Sequence, residues 1–265
     1  MLQIDSSFWR SPPWGNGNKK YKLGLHPIHF DTWIDRPING QILEHKKKLL
    51  KNKYDQVVAA TKDSLDAQLE LGKFFKIKKP LYKDLIADIG LCIQDDLCLI
   101  EANGDQRMIA ASICSPSYWN VKTKIGKPLR DIHKPVISLN KKIGSHIETF
   151  IKQSPLKKPF ARQNWLIHGD TKRFHLNEED SLETNPSSWF IRSEKETICR
   201  FHEDFSLFTI NVIFQPLSAI HNFPKAKKGL QKSLDILDAN EAVSYTHLRA
   251  HETGRNRGLR GGGLK

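Results

Sequence analysis

The chain lacks any run approaching the roughly 20 apolar residues that a membrane span needs. Its four cysteines, Cys92, Cys98, Cys114 and Cys199, form no C-x-x-C pair, which removes the zinc-ribbon class. G-x-x-x-x-G-K-[ST], G-x-G-x-x-G and G-x-S-x-G are all missing, so nucleotide-loop, dinucleotide and serine-hydrolase chemistry have no support. No internal repeat is present. Met1 to Arg10 has no apolar core of a secretory leader. The expectation is therefore a cytoplasmic protein whose cysteines are free and mostly buried thiols.

What is present is a chain of 265 residues, 38% hydrophobic and 27% charged, with a formal net charge of +13. Such a composition suits a globular protein with a substantial core. The charge needs dividing. Val243 to Thr253 back-translates to the transposon-end adapter used in sequencing libraries, and residues 243–265 are expected to be adapter-derived and disordered. That stretch carries five basic residues and one acid, a net +4, which leaves +9 on residues 1–242. One domain over 1–242 is the expected organisation. Its basic residues are scattered over helix faces without an aromatic stacking motif, which argues against a nucleic-acid partner.

The opening segment, with Phe8, Trp9 and Trp14 followed by the basic Lys19–Lys22 run, suits an aromatic arm packed over the domain. Gln41 to Ala60 has apolar residues at helical spacing. Lys46, Lys47, Lys48, Lys51 and Lys53 are expected on its solvated face. A second helix is expected from Asp63 to Phe75, with Leu65, Leu69 and Leu71 in the core and Pro80 beyond its end. Leu97–Ala102 and Met108–Cys114 flank Asn103-Gly104-Asp105-Gln106, a hairpin signal. Residues 142–153 read as a helix. Phe160–His168, Trp189–Phe201 and Phe205–Phe214 read as strands. Hairpins with flanking helices and no βαβ alternation predict an antiparallel α+β domain.

Two of these strands carry unusual polarity. Period two puts Arg162, Asn164 and His168 on one face of the first, with Trp165 and Ile167 opposite. The next places Arg192, Glu194, Glu196 and Arg200 together. The pattern fits a polar pocket for an anion or amine; it also fits a solvated face with cross-strand ion pairs. His133, just before Pro135, has the rigid setting of a metal or haem ligand, and equally that of a hydrogen-bonded structural histidine.

An ordered set of motifs narrows these alternatives. Leu23-Gly24-Leu25 with Trp33, Glu44-His45-Lys46, and Ser112-Ile113-Cys114-Ser115-Pro116-Ser117-Tyr118-Trp119 come first. Lys124-Ile125-Gly126-Lys127-Pro128-Leu129, Ile132-His133-Lys134-Pro135-Val136, Arg162-Gln163-Asn164-Trp165 and Arg192–Arg200 follow. Together, over roughly residues 10 to 240, the chain resembles the haem-dependent oxidative N-demethylase family, in its alpha-subunit-like domain.

The resemblance implies a PAS-like haem-binding fold. It also implies dioxygen-dependent removal of a methyl group, as formaldehyde, from a small methylated amine. Haem b would be the resident cofactor. Flavin and an iron–sulfur centre would sit on partner subunits, which implies a separate NADPH-dependent reductase. Carried over by position, His133 would be the axial iron ligand, with Asn164, Thr197 and Arg200 among the cofactor-binding residues. Arg192, Glu194 and Arg162 would be the catalytic set. A non-catalytic haem sensor or carrier on the same fold is the alternative. Two departures stand out. The family's E-R-Q-T is Glu194-Lys195-Glu196-Thr197 here, and Ile137 stands where a proline is usual.

Overall fold

The computed structural model describes residues 3–17, 23–34, 38–134, 137–176 and 185–237. Lys19–Lys22, Pro135, Val136 and the stretch 243–265 lie outside the described residues. One seven-stranded sheet carries the fold. Its strands are β1 (His26–Pro27), β2 (Val58–Ala60), β3 (Asp96–Glu101), β4 (Met108–Ser112), β5 (Phe160–His168), β6 (Phe190–Arg200) and β7 (Phe205–Pro216). They lie in the order β1-β5-β6-β7-β3-β4-β2, and every neighbouring pair is antiparallel. Helices α1 (Ser6–Arg10), α2 (Gly40–Asn52), α3 (Tyr54–Val57), α4 (Leu65–Phe74), α5 (Leu85–Gly90), α6 (Leu129–Ile132), α7 (Ile137–Gln153) and α8 (Pro224–Asp235) flank it. The expected antiparallel α+β architecture is what forms.

The β3–β4 hairpin turns at Asn103–Gln106, where Gly104 takes a φ of 61°, a conformation that glycine adopts without a Cβ penalty. Strands β5, β6 and β7 form a long meander in which Arg162 pairs with Glu196, Asn164 with Glu194 and Arg192 with Phe214. Period-two alternation divides their side chains between two layers. On one face Cys98, Ile100, Ala111 and Ile198 pack with Ile147, Phe150 and Ile151 of α7 and with Leu129 of α6. On the other, Leu97, Leu99, Cys199 and Leu207 join Leu50, Leu71 and Ile86 from α2, α4 and α5. Further along that second face, Trp165, Ile167 and Ile191 meet Trp9, Trp14 and Leu230. The N-terminal arm thus packs over the domain, and part of it is helical. The side chain of Asp5 caps α1 by accepting from the backbone N–H groups of Ser7 and Phe8.

Several local expectations are corrected. The helix expected over 41–60 ends at Asn52, restarts for one turn and gives way to β2, where Val58 pairs with Ser112. The β-branched Val58 opens the edge strand, directly after Val57 ends α3. Leu71 is fully buried, but Leu65 and Leu69 are 60% and 47% exposed: α4 turns only one stripe inward. The helix expected over 142–153 begins earlier, at Ile137. The four cysteines, by contrast, are free thiols as expected, three of them buried.

The largest correction concerns Lys46, placed by its neighbours on a solvated face. It is 1% exposed, and its ammonium donates to the carbonyls of Gly90 (2.8 Å), Ile93 (2.9 Å) and Asp95 (2.6 Å). These are orphan carbonyls at and just beyond the C-terminal end of α5, which the helix cannot satisfy itself. Burial draws the lysine pKa below its ordinary value, while Asp96 opposes that shift. Removing the ammonium leaves three carbonyls without their donor. We expect Lys46→Met to lower stability by about 3 kcal/mol or more, and the exposed Lys47→Met to change it by no more than about 0.5 kcal/mol. Urea denaturation of the two variants side by side checks this.

Candidate functional site

The face of the sheet that meets α6 and α7 is apolar at one end and charged along its middle. Phe160, Ile198, Phe208 and Cys98 occupy one row of paired positions, and the next rows carry Arg162 with Glu196 and Asn164 with Glu194. Arg192 follows. Its guanidinium is 1% exposed and stacks over the Phe214 ring at 5.7 Å. It donates from Nε to Glu194 Oε1 at 3.0 Å and from Nη2 to the Ser115 carbonyl at 2.6 Å. Its Nη1 is buried and meets no protein acceptor among the described residues. Glu194 is held from both sides, since Asn164 Nδ2 donates to its Oε2 at 3.0 Å.

The Ser115 carbonyl is itself fixed from below. The Asp96 carboxylate accepts the backbone N–H groups of Cys114 (2.9 Å) and Ser115 (2.7 Å). Burial raises the Asp96 pKa, against the pull of Lys46, the two N–H groups and Arg192. A second guanidinium, Arg173, donates to the Val212 carbonyl at 2.9 Å and lies over the same Phe214 ring at 5.8 Å. Sequence reading passed over both Asp96 and Arg173. Neither belongs to a spaced motif, and only the sheet brings them to Arg192.

Arg162 pairs with Glu196 at 2.8 Å, in a largely buried contact. The Glu196 carboxyl is nevertheless pushed up to about 6: burial dominates, repulsion from Glu194 adds to it, and Arg162 only partly offsets them. His133 closes α6, its N–H bonded to the Leu129 carbonyl, and Lys124 Nζ donates to the neighbouring Ile132 carbonyl at 3.0 Å. Burial pushes the His133 imidazole down to about 4, with the positive charges of Arg162 and Lys124 adding to the effect. It is a neutral nitrogen donor at physiological pH, electrostatically coupled to the charged rows of the sheet.

Of the candidates from sequence, Arg162, Asn164, Arg192 and Glu194 come together on this face. Two do not join them. Thr197 points to the opposite layer, where its hydroxyl accepts from Trp33 Nε1 (2.9 Å) and shares a hydrogen bond with Thr209 (2.7 Å). Arg200 sits at the end of β6 and ties the Lys152 carbonyl, at the end of α7, to the Glu203 carbonyl in the β6–β7 turn. Both contacts fasten elements of the fold to one another.

The donors on this face suit a haem. His133 offers a neutral imidazole, Phe160, Ile198 and Phe208 an apolar row, and Arg192, further along the sheet, a buried guanidinium whose Nη1 meets no acceptor among the described residues. A family model described as haem-dependent oxidative N-demethylase, alpha subunit-like, matches residues 71–252. The chain belongs to that family. None of the curated proteins compared with it matches. The match takes in His133, both charged strands and the Ser115–Trp119 turn, so the site lies wholly within the family's region of this N-demethylase-like chain.

Glu196, which stands where the family motif has glutamine, makes a direct test of this electrostatic picture. Its folded pKa is above the ordinary 4.5 of a glutamate, so the folded protein retains a proton that the unfolded chain releases. Ionised Glu196 therefore subtracts stability as pH rises through about 6, and the cost vanishes below about 4.5. We expect Glu196→Gln to be more stable than the parent by about 1–2 kcal/mol near pH 8 and equal to it near pH 4. Denaturant midpoints measured across that range check the sign.

Proposed function

We propose that this chain is the haem-carrying subunit of a dioxygen-dependent N-demethylase acting on a small methylated amine. In the net reaction the N–CH3 carbon leaves as formaldehyde. One oxygen atom ends in the aldehyde and the other in water, with two electrons and two protons supplied from outside. A separate NADPH-dependent reductase, bearing the flavin and iron–sulfur centre, would deliver the electrons. The observation that carries this reading is a buried Arg192, its Nη1 without an acceptor among the described residues, on the same charged face that is coupled, through Arg162, to the neutral imidazole of His133.

His133 would ligate haem b through the nitrogen that its surroundings keep unprotonated. When bound, haem supplies the binding and activation of dioxygen. Arg162 and Arg192 would pair with the propionates or orient a bound anionic oxygen, as buried guanidinium groups do in fixed geometry. Glu194, held between Arg192 and Asn164, offers a carboxylate whose direction is set before an ammonium arrives. Lys195 and Glu196 replace the Arg and Gln of the family motif. That change alters the charge beside the site and bears on which amine is taken. A sheet whose first long strand, β3, lies between β4 and the last strand, β7, with α6 and α7 in the crossover from β4 to β5, supports the PAS-like reading.

Reconstitution of the full chain with haemin, followed by visible spectroscopy, is the test. A Soret band is expected, and His133→Ala should abolish or strongly shift it. Formaldehyde should then appear when the loaded protein is given NADPH, a reductase and methylated amines. Absence of the band would overturn haem binding, an unchanged band in the variant would remove His133 from the iron, and a band without formaldehyde would favour a haem sensor.

A further inference from the structure

At the far end of the same sheet face lies a second cluster that the haem reading leaves unused. His168 closes β5, Asp170 follows it, and His175 returns from the next loop. One donor atom from each, a ring nitrogen or carboxylate oxygen, lies within 4.8 Å of the other two. Both imidazoles are almost fully buried, at 1% and 2% exposure. His175 Nε2 stands 3.0 Å from Asp170 Oδ1, and His168 Nε2 stands 3.2 Å from the Ser117 hydroxyl. Two donors at about 2.1 Å from one tetrahedral ion would stand about 3.4 Å apart, so the His175–Asp170 pair, hydrogen-bonded at 3.0 Å, needs to open by only about 0.4 Å to hold one.

The backbone around the cluster is built to hold it. Ser117 and His175 form a bridge between separate segments, with Tyr118 N–H donating to the His175 carbonyl at 2.9 Å and His175 N–H to the Pro116 carbonyl at 3.2 Å. Tyr118 is thereby held at a φ of 59°, a left-handed conformation that a bulky residue rarely adopts. In that conformation its ring stacks on His175 at 5.0 Å and lies against His168 at 5.4 Å. An aromatic wall over two imidazoles fixes ring orientation and limits water, two functions of the shell around a metal site.

We propose that His168, Asp170 and His175 bind a divalent transition-metal ion of the zinc class, with Tyr118 as the residue that positions the two imidazoles. Two imidazoles and a carboxylate form the donor set that borderline ions such as Zn2+ and Co2+ prefer, and three protein ligands leave a coordination position open. The cluster borders Arg192, since His168 and the Arg192 guanidinium share the Phe214 ring at 6.2 Å and 5.7 Å, but it lies apart from Arg162 and the His133 end of the face. Along β5, His168 is six residues from Arg162, about 20 Å at the rise of a strand. The proposal does not depend on haem binding.

The full chain, stripped with a chelator, is titrated with Co2+ and followed by visible absorption, and Zn2+ retention is measured by elemental analysis. One equivalent of Co2+ with a ligand-field band is expected. The isosteric Asp170→Asn, and His175→Ala, should weaken binding by more than about 100-fold, while Asp170→Asn keeps the parent thermal melt and Soret band. Zn2+ retention by the unaltered chain of less than about a tenth of an equivalent, or binding in both variants as tight as in the parent, would overturn the site. So would loss of the Soret band in both variants with Co2+ binding untouched. Should the variants fail to fold, the histidine NMR spectrum of the unaltered chain decides: Zn2+ must shift two imidazoles, and a spectrum without such shifts overturns the proposal.

Discussion

Everything on the charged face depends on a guanidinium taken almost completely out of water. Arg192 is tolerable there only because Glu194 and the Ser115 carbonyl each accept from it and Phe214 lies beneath it. Desolvating such a cation costs several kcal/mol unless its partners are already in place. The partners are therefore fastened in their turn: Glu194 by Asn164, and the Ser115 carbonyl by the Asp96 carboxylate, which holds two backbone N–H groups. Lys46 pins the loop next to Asp96 from the other layer. Buried charge thus runs as a connected series through the core, with alternating signs and few loose ends.

One loose end on this face is informative. A buried N–H without an acceptor costs free energy that folding alone has no reason to spend. Arg192 Nη1 is such a group, and a bound anionic oxygen would satisfy it. The electrostatics nearby are consistent with a cofactor-binding face: His133 is kept neutral, and Glu196 is held close to protonation at mildly acidic pH. In the haem site proposed above, such groups would be poised to hold or release a proton.

Much of this was legible beforehand. Alternation along Phe160–His168 and Trp189–Phe201 already put Arg162 with Asn164, and Arg192 with Glu194, on common faces, because a strand has a side-chain period of two and the pattern survives any fold that keeps the strand. The hairpin at Asn103–Gln106 was equally plain, since its turn chemistry is local. Where inference failed, a tertiary partner had intervened. Leu65 and Leu69 look like core residues until the neighbouring layer is seen to meet only the Leu71 side of α4. Lys46 looks solvated until the carbonyls beyond α5 arrive at its tip. His168-Gly169-Asp170 with His175 five residues later is a readable spacing, but it has no weight until the Ser117–Tyr118 segment folds across it.

The sequence by itself determined the antiparallel α+β class, the strand faces, the family and the motif residues, because each is written in local periodicity or in ordered short motifs. Tertiary structure alone decided which of those residues face one another. It sent Thr197 to the opposite layer, made Arg200 a fastening between α7 and a turn, and buried Lys46. It also brought His175 beside Asp170. The physical reason is that pairing across strands and layers, and the desolvation that comes with it, depends on residues far apart in the chain. No local pattern encodes how much water a charge will lose.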